Sequence, residues 1–149
     1  MKLLTTILIL LPFMLVNAQD STLKGRIINE DLEVLPDVKI LNENNEMLGI
    51  TDIEGNFVIS ISKENVKLNI CCIGMEPTII ELTDNCDNLD IILMIESHYD
   101  FMSLKKVDRL RMKRFKKLPE LRKEAFDKGI FISDKVCYKQ EFTPYRKKE

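Results

Sequence analysis

The stretch that decides the fold runs from residue 49 to residue 62 and reads Gly49-Ile50-Thr51-Asp52-Ile53-Glu54-Gly55-Asn56-Phe57-Val58-Ile59-Ser60-Ile61-Ser62. Its first half predicts a tight turn, because an aspartate such as Asp52 can accept hydrogen bonds from the backbone downstream and Gly55 can adopt a left-handed conformation. Its second half alternates apolar and polar residues, so that Phe57, Ile59 and Ile61 share one face. We expect that face to be core.

The sequence around this stretch consists of short β-branched or aliphatic runs separated by turn residues. Seven runs are candidate strands: Leu23 to Asn29, Val38 to Asn42, Met47 to Thr51, Asn56 to Ser62, Val66 to Ile73, Thr78 to Thr83 and Leu89 to Ile95. No helical pattern lies between them, and Asn44-Asn45 suits a hairpin tip. The pattern predicts a mainly β fold, a seven-stranded antiparallel β-sandwich over residues 19–97.

After Ser97 the apolar period becomes helical, and residues 98–149 are expected to form a basic, helical C-terminal extension. Ser103 is a candidate N-cap, and Pro119 is expected to end a first helix, 104–118, and to open a second one through Lys128. Gly129 is expected to end the second helix. Whether residues 130–149 pack on the sandwich is left open.

Charge is divided between the two halves of the chain. Residues 19–100 carry five Lys and Arg against 17 Asp and Glu, whereas residues 101–149 carry 16 against seven. The first helix therefore has three interpretations: attraction to an anionic surface, docking on the acidic sandwich of the same chain or of a partner, or a solvated helix whose apolar side covers the domain. The candidate contacts with an anionic surface are Lys105, Lys106, Arg109, Lys113, Lys116 and Lys117.

The N-terminus has the pattern of a secretory signal peptide over residues 1–18. An apolar run follows Lys2, and the small residues Val16 and Ala18 stand at the −3 and −1 positions of a cut after Ala18. A membrane span needs about 20 apolar residues, more than this run offers. No cysteine stands at the cut, so a lipoprotein is not expected. The protein is expected to be exported to the periplasm or the outer membrane.

Four cysteines are present: Cys71, Cys72, Cys86 and Cys137. Export permits disulfides, and an even count permits full pairing, with three connectivities left open. Because Cys71 and Cys72 are adjacent, they point to opposite faces of a strand, and at least one of them is expected to be a small buried core residue.

No catalytic or metal-binding constellation stands out in the sequence. His98 is the only histidine and has no ligand partner, which argues against a zinc site and against a Ser-His-Asp arrangement. Asp52, Glu54 and Asn56 could offer oxygen atoms to calcium, but a calcium loop needs more ligands and a bidentate acid downstream. The protein is expected to be no enzyme and to hold no cofactor and no metal.

Gly49, Thr51, Asp52, Gly55 and Phe57 fit the pattern G-x-T-D-x-x-G-x-F, which resembles the signature of carboxypeptidase regulatory-like domains. Gly25-Arg26-Ile27, Leu35 to Ile40 and Cys71 to Met75 match further pieces in the expected order, and the likeness covers residues 22–96. The resemblance implies a transthyretin-like β-sandwich, common in exported proteins of the Bacteroidetes group. The C-terminal extension is similar to the helical extension of stand-alone proteins of this type. This second resemblance implies no activity.

Two functions are therefore expected. The first is a non-catalytic binding or scaffolding module of the cell envelope, with a protein or glycan partner contacted through sandwich loops or a sheet edge. The second is a peripheral membrane protein held by the basic helix 104–118. A nucleic-acid partner is not expected for an exported protein, and the oligomeric state is left open.

Overall fold

The computed structural model of the chain describes residues 21–62, 66–83, 86 and 88–145. The predicted signal peptide, residues 1–18, lies outside the described residues. In chain order the elements are β1 (Ser21–Asn29), β2 (Lys39–Leu41), β3 (Met47–Ile50), β4 (Asn56–Ile61), β5 (Lys67–Cys71), β6 (Thr78–Leu82), β7 (Ile91–Leu93), α1 (Leu104–Phe115), α2 (Leu118–Asp127) and β8 (Tyr138–Gln140). The protein is mainly β with a helical C-terminal region, as predicted.

The strands form two sheets. One has three strands in the order β4-β1-β7, and the other has five in the order β3-β2-β5-β6-β8. Both sheets bury side chains in one shared core, with Ile27 and Ile91 from the first and Ile40, Ile70 and Ile80 from the second. This is a β-sandwich-like arrangement, in which each sheet hides one apolar face against the other.

The prediction of seven antiparallel strands is wrong in two respects. An eighth strand, β8, comes from the C-terminal region and pairs antiparallel with β6, with Glu81 opposite Lys139. In addition β7 pairs parallel with β1, with Ile28 opposite Ile92. The chain crosses from the five-stranded sheet at β6 to the edge of the other sheet at β7. An apolar pattern carries no information on the direction in which a strand then runs.

A second core lies on the outer face of the three-stranded sheet. Ile28 and Ile92 point to this side, where they meet Ala125 of α2 and Phe131 just beyond it. Because both faces of β7 are covered, all three of its residues are buried, which is the continuous apolar pattern of a strand buried on both faces. The helices are therefore part of the packed body.

The helix boundaries differ slightly from the predicted ones. α1 ends at Phe115 instead of Leu118, because Lys116 and Lys117 form a turn before α2 begins at Leu118. Pro119 stands in the first turn of α2, where its missing N–H leaves no hydrogen bond unmade, and α2 ends at Asp127 before Gly129 with φ 71°. Ser103 is the N-cap residue of α1, although its side chain makes no capping hydrogen bond.

The motif from residue 49 to residue 57 forms the predicted turn and leads into β4. Oδ1 of Asp52 accepts hydrogen bonds from the backbone N–H groups of Glu54 at 2.9 Å and Asn56 at 2.8 Å. Gly55 has φ 77°, which favours glycine, and Phe57 is buried in the core. Gly49 lies in β3 and is packed closely against Ile59. A Cβ atom added at Gly49 would lie 2.7 Å from Cγ2 of Ile59, which is too close. These residues serve the fold.

The buried hydroxyl of Thr51 joins two loops within the motif. Its Oγ1 accepts a hydrogen bond from the N–H of Val38 at 2.9 Å and donates one to the carbonyl of Leu35 at 2.7 Å. Thr51→Val keeps the side-chain shape but leaves both backbone groups without a partner. We expect this variant to lose about 2 kcal/mol of unfolding free energy in urea titrations. The same change at exposed Thr22 of β1 is the control, and equal effects of the two would contradict this role of Thr51.

Candidate functional site

The C-terminal region is held to the sheets by a buried ion pair. Arg111 of α1 donates from Nε to Oε1 of Glu76 at 3.0 Å and from Nη2 to Oε2 at 2.7 Å, and the two residues are 4% and 3% exposed. The guanidinium carbon also lies 3.6 Å from the centre of the Tyr145 ring. Burial lowers the pKa of Arg111. The hydrogen bonds and the charge of Glu76 raise this pKa by more than burial lowers it, so the net shift is upward. The Arg111 guanidinium therefore keeps its positive charge although it is buried.

A second arginine of α1 makes a similar contact one turn later. Arg114 pairs with Glu30, and it also donates to the hydroxyl groups of Ser97 at 3.1 Å and Tyr99 at 3.0 Å. Burial raises the pKa of Glu30, but hydrogen bonds from Arg114 and from the N–H of Ile95 lower it more, so the pKa ends below its usual value. Three interpretations of the first helix were open from the sequence. Arg111 and Arg114 fit the second of them, in which the helix docks on the acidic sandwich.

A disulfide and a strand tie down the chain beyond α2. Cys86 and Cys137 are bonded, with their Cα atoms 5.1 Å apart, and β8 follows directly after Cys137. This is one of the pairings that the sequence left open, and together with β8 it shows that residues 137–140 pack on the sandwich. Cys71 and Cys72 are free; Cys71 is exposed, and Cys72 is partly buried against the core, so the expectation of a fully buried cysteine is not met.

The six predicted contacts with an anionic surface are all exposed: Lys105, Lys106, Arg109, Lys113, Lys116 and Lys117. At 3.6 residues per turn, the four that lie in α1 fall within an arc of about 100° on the helix. Buried Val107 and Arg111 face the opposite side. No ion pair joins any of the six to another described residue. We call these six residues, four on α1 and two in the turn that follows it, the basic face of α1.

A cleft opens beside the basic face, between the two helices and the sheets. It has a volume of about 370 Å³ and is lined by Phe115, Leu118 and Pro119 at the α1–α2 turn, Ile92 of β7, Val136, and Tyr138 and Gln140 of β8. Lys116 stands at its edge, and the buried guanidinium of Arg122 forms part of its wall. The cleft is apolar except for these cations, Gln140 and the hydroxyl of Tyr138, and the sequence alone does not reveal it.

The other candidate positions do not come together as a site. His98 is exposed, and Asp52, Glu54 and Asn56 are engaged with one another in their turn. In the part of the chain that the structure describes, no three His, Cys, Asp or Glu residues form a group that could hold a metal ion. Nor does any described helix have the length and apolar character needed to cross a membrane.

Comparison with known proteins assigns no family to the chain. No protein-family model matches the chain, and no curated protein shows significant similarity to it. Among solved structures it is similar to the crystal structure of the C-terminal domain of the PapC usher, with 17% identity, a TM-score of 0.38, and coverage of 50% of this chain and 98% of that chain. The resemblance to carboxypeptidase regulatory-like domains therefore rests on the sequence motif alone.

Proposed function

We propose that the protein is a non-catalytic, exported module of the cell envelope that binds an anionic lipid surface through the basic face of α1. The single observation that carries this proposal is the separation of charges on α1 and the turn that follows it. Arg111 and Arg114 are satisfied by carboxylates of the body, whereas the six outer cations have none among the described residues. Each basic residue held near an anionic membrane adds about 1 kcal/mol of attraction.

The start of α1 favours a lipid surface over a soluble polyanion. Phe101 is fully exposed with φ 59°, and Met102 and Leu104 are also exposed. These apolar side chains stand directly before Lys105 and Lys106. Apolar and aromatic residues beside lysines suit the boundary between lipid head groups and acyl chains, where the apolar part leaves water and the cations meet phosphate.

Two further parts of the proposal concern family and location. The G-x-T-D-x-x-G-x-F motif and the two-sheet body support a transthyretin-like, carboxypeptidase regulatory-like domain. The Cys86–Cys137 disulfide supports export, because such bonds persist in oxidising compartments outside the cytosol. Residues 1–18, with their secretory pattern, support it as well.

Sedimentation with vesicles of phosphatidylcholine and phosphatidylglycerol tests the lipid contact. The triple variant Lys105→Gln, Arg109→Gln, Lys113→Gln is expected to lose about 3 kcal/mol of binding free energy, roughly a hundredfold. Its control carries the same charge change on exposed sandwich lysines, Lys24→Gln, Lys39→Gln, Lys67→Gln. High salt should weaken binding of the native chain. Equal losses in both variants, or absence of binding at any salt concentration, would count against the proposal.

A protein or glycan partner bound at a sheet edge is the second candidate. It is favoured by exposed apolar side chains at the edge strand β3 and in the turn after it, Met47, Ile50 and Ile53. An edge strand offers unpaired backbone groups to an added strand. Crosslinking and pull-down of the native chain and of a Met47→Lys, Ile53→Lys variant tests this, and an identical set of envelope partners for both would argue against it.

A further inference from the structure

The cleft between the helices and the sheets contains a buried positive charge without a matching carboxylate. Arg122 is 5% exposed, and its Nη2 donates to the hydroxyl of Tyr138 at 2.6 Å and to the carbonyl of Asp90. Its Nε and Nη1 have no hydrogen-bond acceptor among the described residues. No described Asp or Glu forms an ion pair with it.

The nearby acid, Asp90, is occupied elsewhere. Its Oδ1 accepts from the N–H of Arg26 at 3.1 Å and its Oδ2 from the N–H of Ile132 at 3.3 Å. The rings of Phe131 and Tyr138, centred 5.2 Å and 5.4 Å from the guanidinium carbon, give Arg122 only a partial compensation. Asp90 thus leaves Nε and Nη1 of Arg122 without a carboxylate partner among the residues that the structure describes, and an anion that enters the cleft can accept hydrogen bonds from them.

The rest of the cleft indicates what that anion carries. Leu118, Pro119, Val136 and Phe115 line it with apolar surface, and its volume of about 370 Å³ suits a small molecule. One buried cation matches one negative charge, and Lys116 at the edge offers a second, solvated cation. Burial raises the pKa of the Tyr138 hydroxyl, which therefore stays neutral and does not repel an anion.

We propose that this cleft is a binding site for a small amphipathic carboxylate, whose carboxylate group pairs with Arg122 and whose apolar chain lies against Leu118, Pro119 and Val136. Lys116 borders both this site and the lipid contact proposed above, but the site otherwise uses different residues, with Arg122 on α2 and the wall of the sheets. A carboxylate would accept from the donors of Arg122 that have no partner, and its chain would cover the apolar lining.

Isothermal titration calorimetry with decanoate tests the site, with decanol as the uncharged probe of the same chain length. Decanoate is expected to bind. Decanol is expected to bind more weakly by a factor of about ten or more, because a hydrogen bond to a charged group is lost. Arg122→Gln should weaken decanoate binding by a similar factor. Val136→Trp should block the cleft with Arg122 intact, and Ile79→Trp is its control, since Val136 and Ile79 are both 52% exposed.

The blocking variant decides the outcome if Arg122→Gln does not fold. Loss of decanoate binding in Val136→Trp but not in Ile79→Trp supports the proposal. Absence of heat with decanoate, equal affinities for decanoate and decanol, or unchanged binding in Val136→Trp overturns it. Because no vesicle is involved, this result is independent of the lipid contact.

Discussion

Arg111→Met will destabilise the protein by about 3 to 5 kcal/mol, because it leaves the buried carboxylate of Glu76 without its bidentate partner. Arg114 Nη1 lies 3.7 Å from Oε1 of Glu76 and can offset only part of this cost. The loss is measured by urea unfolding, with Lys113→Met, an exposed change on the same helix, as the control.

The double variant Arg111→Met, Glu76→Met separates the cost of an unpaired charge from the value of the pair. Replacing both partners of a buried ion pair by apolar residues is often neutral or stabilising. We therefore expect the double variant to recover most of the stability lost in Arg111→Met. A loss below about 1 kcal/mol in the single variant, within the range of exposed pairs, would show that α1 is not held by this contact.

Removing the disulfide has the other large expected effect. The Cys86–Cys137 bond closes a loop with a sequence separation of 51 residues. A crosslink over a loop of this length restricts the unfolded chain by about 4 kcal/mol in the chain-entropy treatment. We expect Cys86→Ala, Cys137→Ala to lose a comparable amount of unfolding free energy in urea titrations.

Two observations control the disulfide prediction. Cys71→Ser changes an exposed, free thiol and should leave stability nearly unchanged. A reducing agent should lower the urea midpoint of the native chain and leave that of the double alanine variant where it is. If reduction has no effect on the native chain, the bond does not stabilise the fold.

Much of the body could be predicted from local sequence. The alternation in β4 placed Phe57 and Ile59 in the core because a strand has a side-chain period of two. Asn45 has φ 62° at the predicted hairpin tip, and Gly129 has a positive φ after α2, because both positions need residues that tolerate this conformation. These features depend on residues that are neighbours in the chain.

Features that depend on distant residues could not be predicted. β8 has only three residues, Tyr138–Gln140, and its place beside β6 is set by tertiary packing and by the Cys86–Cys137 bond. The parallel pairing of β1 and β7 depends on where the chain crosses between sheets. Local patterns carry neither kind of information.

The six candidate surface contacts on and after α1 left out Arg111 and Arg114. These two arginines follow buried Val107 at i+4 and i+7, which is the spacing of one helix face. Their position on that face was a signal in the sequence. Their partners, Glu76 and Glu30, were not visible in it, because 35 and 84 residues separate them along the chain. The cleft with Arg122 likewise depends on tertiary contacts.

We expect the basic face of α1, and not the rest of the protein, to meet an anionic surface. Lysine acetylation read by mass spectrometry tests it within one molecule, with and without phosphatidylglycerol vesicles. We predict that the vesicles protect Lys105, Lys106, Lys113, Lys116 and Lys117 from acetylation and leave Lys24, Lys39 and Lys67 of the sandwich reactive. Equal protection of both groups, or protection of the sandwich lysines alone, would contradict the claim.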